Sequence, residues 1–139
     1  MNIAGDGPEK DSLVKLTQKY KLEDYVTFLG SQTHNEVLKL MSQSQIYMFT
    51  SDFNEGWGAV LNEAMANGCA VVASSAVGSV PFLITHEENG LIYKYGDYKN
   101  AYDEVKKLLN AHQKARQLGN NAKATIDKHH YHQKIDKYF

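Results

Sequence analysis

The chain has 139 residues, 42% of them apolar, and a formal net charge of −1, the composition of a soluble protein with one hydrophobic core. It is too short for two ordinary domains, and no apolar run approaches the roughly 20 residues that span a bilayer. The charge balance lacks the basic excess of a nucleic-acid binder, so no nucleic-acid partner is expected. The start, Met1-Asn2-Ile3-Ala4-Gly5, carries neither a basic leader nor a long apolar run, and no signal peptide is expected. Cys69 is the single cysteine, so a reducing compartment is the natural setting.

In chain order, Ile3-Ala4-Gly5 reads as the end of a strand, followed by a turn through Gly5-Asp6-Gly7-Pro8. Pro8 suits the first turn of a helix that runs to about Lys21, with Leu13 and Leu16 on its apolar face. Tyr25 to Leu29 is a strand that Gly30 ends. Thr33 and Glu36 form a capping box for the next helix, which carries Val37, Leu38, Leu40 and Met41. Ile46 to Thr50 is a third strand, and Gly58 to Asn67 a helix stopped by Gly68. Cys69 precedes Ala70-Val71-Val72-Ala73, an all-apolar run expected to be a strand covered on both faces, and so reads as a buried thiol rather than a nucleophile. A turn with Gly78 and Pro81 leads through Ile84 to a short strand, Leu91-Ile92-Tyr93. Asp97 caps a helix with Ala101, Val105, Leu108 and Leu109; further helix is expected over Gln113–Lys128 and Tyr131–Tyr138.

Strands alternating with helices predict an α/β fold, a parallel sheet of about five strands with helices on both faces. Ligands of such sheets bind beyond the carboxyl ends of the strands. The turns at Gly5–Gly7, Gly30 and Gly56–Gly58 follow strands and belong at that edge.

The segment Asn54-Glu55-Gly56-Trp57-Gly58 enters an apolar helix that contains Glu63. Helix N-termini carry about half a positive charge and free N–H groups, and glycine lets an anion come close. Glu63, among Val60, Leu61, Ala64 and Met65, suits a cis-diol such as a ribose, because one carboxylate accepts from two hydroxyls. Glu55, before the helix, is placed to accept from hydroxyls of a sugar attached beyond the phosphates. A solvated Glu55 and a water-facing Glu63 stand as the alternative. Gly5-Asp6-Gly7 lacks the third glycine of a dinucleotide fingerprint, since position 10 is Lys10, and a plain tight turn fits it better. His129, His130 and His132 have no carboxylate or cysteine nearby to complete a ligand set, and no metal site is assigned.

Asn54-Glu55-Gly56-Trp57-Gly58, Leu61-Asn62-Glu63-Ala64-Met65-Ala66-Asn67-Gly68 and Val71-Val72-Ala73-Ser74 resemble the E-x7-E region of group 1 (family 4) glycosyltransferases. Gly5-Asp6-Gly7-Pro8, Val26-x-Phe28-Leu29-Gly30, Gly78-Ser79-Val80-Pro81, and Asn89-Gly90-Leu91 leading to Gly96-Asp97 agree in order and spacing. The similarity covers nearly the whole chain. It implies the Rossmann-like, nucleotide-sugar-binding C-terminal half of a GT-B enzyme: one donor-binding domain over 1–139, with its first strand truncated and the N-terminal acceptor domain absent. It further implies a retaining hexosyltransferase in polysaccharide or glycoconjugate biosynthesis, cytoplasmic or at the inner face of the membrane, with the isolated fragment inactive.

By that resemblance Glu55 contacts the donor sugar and Glu63 the ribose. The backbone of Gly56, Trp57, Gly58 and Ala59 meets sugar and diphosphate, that of Leu29, Gly30, Ser31 and Gln32 reads the base, and Gly5 and Gly7 form a turn at the site. The donor is a nucleotide diphosphate sugar, a UDP-sugar first, with no cofactor or metal. The acceptor is a carbohydrate or a lipid-linked group, with peripheral membrane contact in the full-length protein. The basic pair that holds the diphosphate in the family lies upstream of the matched segment. Residues 131–139 form a terminal helix meant for the missing domain, so Tyr131, Ile135, Tyr138 and Phe139 lack their usual partner. Two positions depart from the family: Phe82 stands where a glutamate often follows proline, and Trp57 replaces a commoner phenylalanine. Half of a nucleotide-sugar epimerase of the same architecture, or a non-catalytic nucleotide-binding domain, are the alternatives.

Overall fold

The computed structural model describes residues 1–135, with side chains through His129. The chain forms two compact units, Met1–Lys39 and Leu40–Phe139.

In the first unit β1 (Asn2–Ala4) pairs in parallel with β2 (Thr27–Gly30), and α1 (Lys10–Lys19) connects them. Helix α1 starts later than Pro8 suggests, because residues 8 and 9 are spent in a turn that Lys10 N closes on Gly7 O at 3.2 Å. Strand β2 starts at Thr27, not Tyr25, because Tyr25 N and Val26 N both bond back to Leu22 O. The Thr33–Glu36 capping box forms at the start of α2 (His34–Ser42): Thr33 N donates to Glu36 Oε2 at 2.7 Å and Glu36 N to Thr33 Oγ1 at 3.3 Å. Those bonds to Thr33 hold the Glu36 carboxyl below its ordinary value. The expected apolar face of α1 is not buried: Leu13 and Leu16 are 41% and 48% exposed.

In the second unit β3 (Ile46–Phe49), β4 (Ala70–Ser74) and β5 (Leu91–Tyr93) form a parallel sheet in the order β3-β4-β5. The five strands therefore lie in two parallel sheets, one per unit. All five residues of β4 are buried, as its apolar run predicts for a central strand. On one face Ala70 and Val72, with Leu91 and Tyr93 of β5, pack against Ala101 and Leu108 of α5 (Tyr98–Leu109) and Ala115 and Leu118 of α6 (His112–Ile135). Helix α3 (Ala59–Ala66) also packs on β4, burying Leu61, Ala64 and Met65. Burial of each such large side chain contributes roughly 1.5–3 kcal/mol. Helix α5 is capped by Asp97, whose carboxylate accepts from Asn100 N at 2.9 Å. Helix α6 is continuous to Ile135, so the two expected helical pieces join; the expectations for the side chains of 131–139 lie outside the described residues.

A buried amide ties α6 to the segment after α4 (Val80–Leu83). Asn89 Oδ1 accepts from Thr85 N at 2.8 Å, and its Nδ2 donates to Leu83 O and to Thr125 Oγ1, both at 2.9 Å. Asn89→Ala leaves these groups without their partner in a buried place. Urea unfolding followed by circular dichroism should show a loss of about 1–3 kcal/mol, whereas a loss below a few tenths would mean that the amide is not structural.

Candidate functional site

The loop from β3 to α3 is shaped by its own polar residues. Asp52 Oδ1 accepts from Asn54 N at 2.8 Å, and Asp52 O accepts from Glu55 N at 3.2 Å. The exposed Glu55 carboxylate takes a short hydrogen bond from Ser51 Oγ, which orients it. Gly58, at φ 72°, is the N-cap of α3. No side chain caps the helix and no acid sits in its first turn; Gly58 is buried against Val77 and Phe49, and Ala59 beside it is exposed. An uncapped helix start leaves N–H groups free and carries the positive end of the helix dipole, the chemistry that suits an anion.

The next loop is joined to this one. Gly78 N donates to Gly56 O at 2.9 Å and Ser79 N to Trp57 O at 3.1 Å. An ideal Cβ on Gly78 would lie 2.3 Å from Gly56 O, so only glycine allows the approach. Trp57 Nε1 donates to Asn62 Oδ1 at 3.2 Å, and the Trp57 and Phe82 rings sit 5.6 Å apart at 33°. The two residues that depart from the family pattern are thus in contact.

Glu63 is half-buried on α3, neither fully solvated nor sealed in the core. On β3, burial pushes the Tyr47 phenol up to about 12, with the charges of Glu55 and Glu63 adding to the rise. Sequence reasoning missed Tyr47, because a tyrosine in a short apolar strand carries no signal beyond β-propensity. Its place beside Phe49 on the same strand face, with ring centroids 6.0 Å apart, is the available hint. A cavity of about 410 Å³ in this unit begins at Phe82 and runs along Leu83, Asn89, Asn121, Thr125 and Lys128, without Glu55, Trp57 or Glu63 in its lining.

The remaining candidates belong to the first unit. Gly5 N donates to Gly30 O at 2.7 Å, which joins the turns after β1 and β2. Gln32 Nε2 donates to Leu29 O at 2.8 Å and to Ser31 O at 3.2 Å. Gly7 N is taken by Asp6 Oδ1 at 2.9 Å, and Asp6 also pairs with Lys10 at 3.2 Å, consistent with a self-satisfied tight turn. A cavity of about 230 Å³ borders Gly5, Gly7, Lys10 and Phe28.

Cys69 is buried, with its Sγ 3.3 Å from Met41 O, and burial pushes its thiol up to about 11. Iodoacetamide at pH 8 should therefore leave the folded chain unlabelled and modify it rapidly in urea; fast labelling without denaturant would contradict the buried placement. Gly78→Ala should lower the melting temperature, by about 1–3 kcal/mol of overpacking, and shift Trp57 emission as the joined loops part. An unchanged melting curve and spectrum would show that the loops do not need this contact.

A sequence model of the family described as "Glycosyl transferases group 1" matches residues 1–125. N-acetyl-alpha-D-glucosaminyl L-malate synthase of Bacillus anthracis is 32% identical over 124 residues, covering 89% of this chain and 32% of the synthase. HepE of Anabaena, crystallised in complex with UDP, aligns with TM-score 0.83 and 27% identity over 99% of this chain and 39% of its own. The C-terminal domain of LpcC, a glycosyl transferase group 1 family protein of Francisella tularensis, aligns with TM-score 0.78 and 25% identity over 86% of this chain and 60% of that one. The chain spans about a third of the length of the synthase and about two-fifths of that of HepE.

Proposed function

The chain belongs to the group 1 glycosyltransferases and matches their C-terminal domain, and on that footing we propose that it is the donor-binding part of a retaining sugar transferase. Its Rossmann-like α/β fold is that of GT-B glycosyltransferases. The proposed donor is a UDP-sugar, for which the UDP complex of HepE is the supporting precedent. The acceptor hydroxyl belongs to a carbohydrate or lipid-linked group bound by a further domain, and the parent enzyme works in the cytoplasm or at the inner membrane face.

The observation that carries this reading is the start of α3, which no side chain caps, with the exposed Glu55 three residues before its N-cap and the half-buried Glu63 on the helix itself. In the proposed pose the diphosphate meets the amides at Gly58 and Ala59. Glu63 accepts from the ribose hydroxyls and Glu55 from the sugar hydroxyls. Transfer breaks the bond between the anomeric carbon and the diphosphate oxygen and forms one from that carbon to the acceptor oxygen, whose proton leaves with the diphosphate. The charge that builds on the departing diphosphate is what a helix N-terminus stabilises. We assign no protein nucleophile.

Calorimetry of this chain with UDP, GDP and ADP tests the proposal. Weak binding of one nucleotide is expected, with no turnover of a UDP-sugar. Glu63→Ala should lower the affinity by about 1–3 kcal/mol, the cost of a lost charge-assisted hydrogen bond. Binding that ignores the Glu63 change would favour the non-catalytic reading, and robust sugar transfer by the chain alone would falsify the claim that it supplies only the donor half.

A further inference from the structure

We propose that the Trp57–Phe82 ring pair is a stacking platform for an uncharged hexopyranose ring of the donor, an inference that rests on the donor-binding reading above. Trp57 directly precedes the N-cap of α3 and follows Glu55 by two positions. A sugar carried by a diphosphate at that helix start meets Glu55 with its hydroxyls and has Trp57 as the adjacent side chain. Both rings are solvent-exposed, Trp57 at 51% and Phe82 at 70%. Large exposed aromatics in contact leave apolar surface in water, which a ligand can cover.

The pair is also built to hold its shape. The Trp57 indole is fixed by Asn62 at 3.2 Å, and the two loops that carry the rings are joined by Gly78 N to Gly56 O and Ser79 N to Trp57 O. Aromatic faces are electron-rich, so they attract the weakly positive C–H face of a pyranose. Phe82 brings no charge of its own, and no acid stands at that position to repel or bond a sugar substituent. The carboxylate for hydroxyl recognition is left to Glu55. Hydroxyls toward an acid and C–H face toward rings make this a site that reads the sugar rather than the base.

Trp57 is the single tryptophan, so its fluorescence reports the platform directly. The test is titration of the whole chain with UDP, UDP-glucose and UDP-N-acetylglucosamine, with excitation at the red edge of the indole band. Calorimetry is run on the native chain and on Phe82→Ala and Phe82→Glu, whose folding is checked by circular dichroism. The expected result is a blue shift of Trp57 emission with at least one UDP-hexose but not with UDP. Phe82→Ala should weaken binding of that UDP-hexose by about 3- to 10-fold while leaving UDP unchanged, in line with the energy of an aromatic pair contact. Phe82→Glu should weaken it at least as much. Identical emission changes with UDP and both UDP-hexoses, or equal loss of UDP and UDP-hexose affinity in the Phe82 variants, would overturn the platform and leave the donor-binding proposal standing. An emission already blue-shifted without ligand, and increasingly so with protein concentration, would assign the rings to contact between copies and also overturn it. Failure of the native chain to bind any of the three ligands would bring down both readings.

Discussion

Two backbone hydrogen bonds organise the second unit's candidate site: Gly78 N to Gly56 O and Ser79 N to Trp57 O. They fasten the loop that follows β4 onto the loop that precedes α3. The stretch 51–58 also has contacts of its own, among them Asp52 with Asn54 and Ser51 with Glu55, but the Gly78 and Ser79 bonds are the ones that tie it by backbone to the loop leaving the fully buried β4. The constraint is steric as much as bonded, since a side chain at position 78 would have to share space with Gly56 O.

That fastening also decides what α3 presents. Leu61, Ala64 and Met65 anchor the helix in the core, so its axis cannot roll to hide Glu63. Its first turn stays uncapped because Gly58 supplies the turn without a side-chain oxygen. A helix with a conventional serine or aspartate cap would be locally better satisfied, and its amides would be occupied. The sequence forgoes that local stabilisation where an anion is proposed to sit, while α5, away from the site, has an aspartate cap.

Much of this was legible from residue order. The α3 limits differ from the expected Gly58–Asn67 only by treating both ends as caps, because glycine and asparagine chemistry marks helix ends strongly. The capping box at Thr33 and the buried run Ala70–Ala73 are equally local signals, and they hold. What could not be read was contact between distant side chains. Trp57 and Phe82 look like separate substitutions in the sequence, and nothing in their spacing says that their rings meet. Tyr47 is hidden for the same reason: the acids whose charges act on it lie on a later loop and helix. The β-propensity of Tyr25 and Val26 points to a strand two residues before β2 begins, because it carries no sign of the turn that Leu22 O closes.

The two units differ in how they are held. No residue from 1 to 39 is buried, and the α1 leucines that periodicity assigns to a core stay exposed. A two-stranded sheet with exposed helices lies below what ordinarily sustains an independent fold. Its order depends on backbone bonds such as Gly5 N to Gly30 O and on the Thr33–Glu36 box, each contributing on the order of 1 kcal/mol. Elements so lightly held are the ones expected to open first in hydrogen exchange.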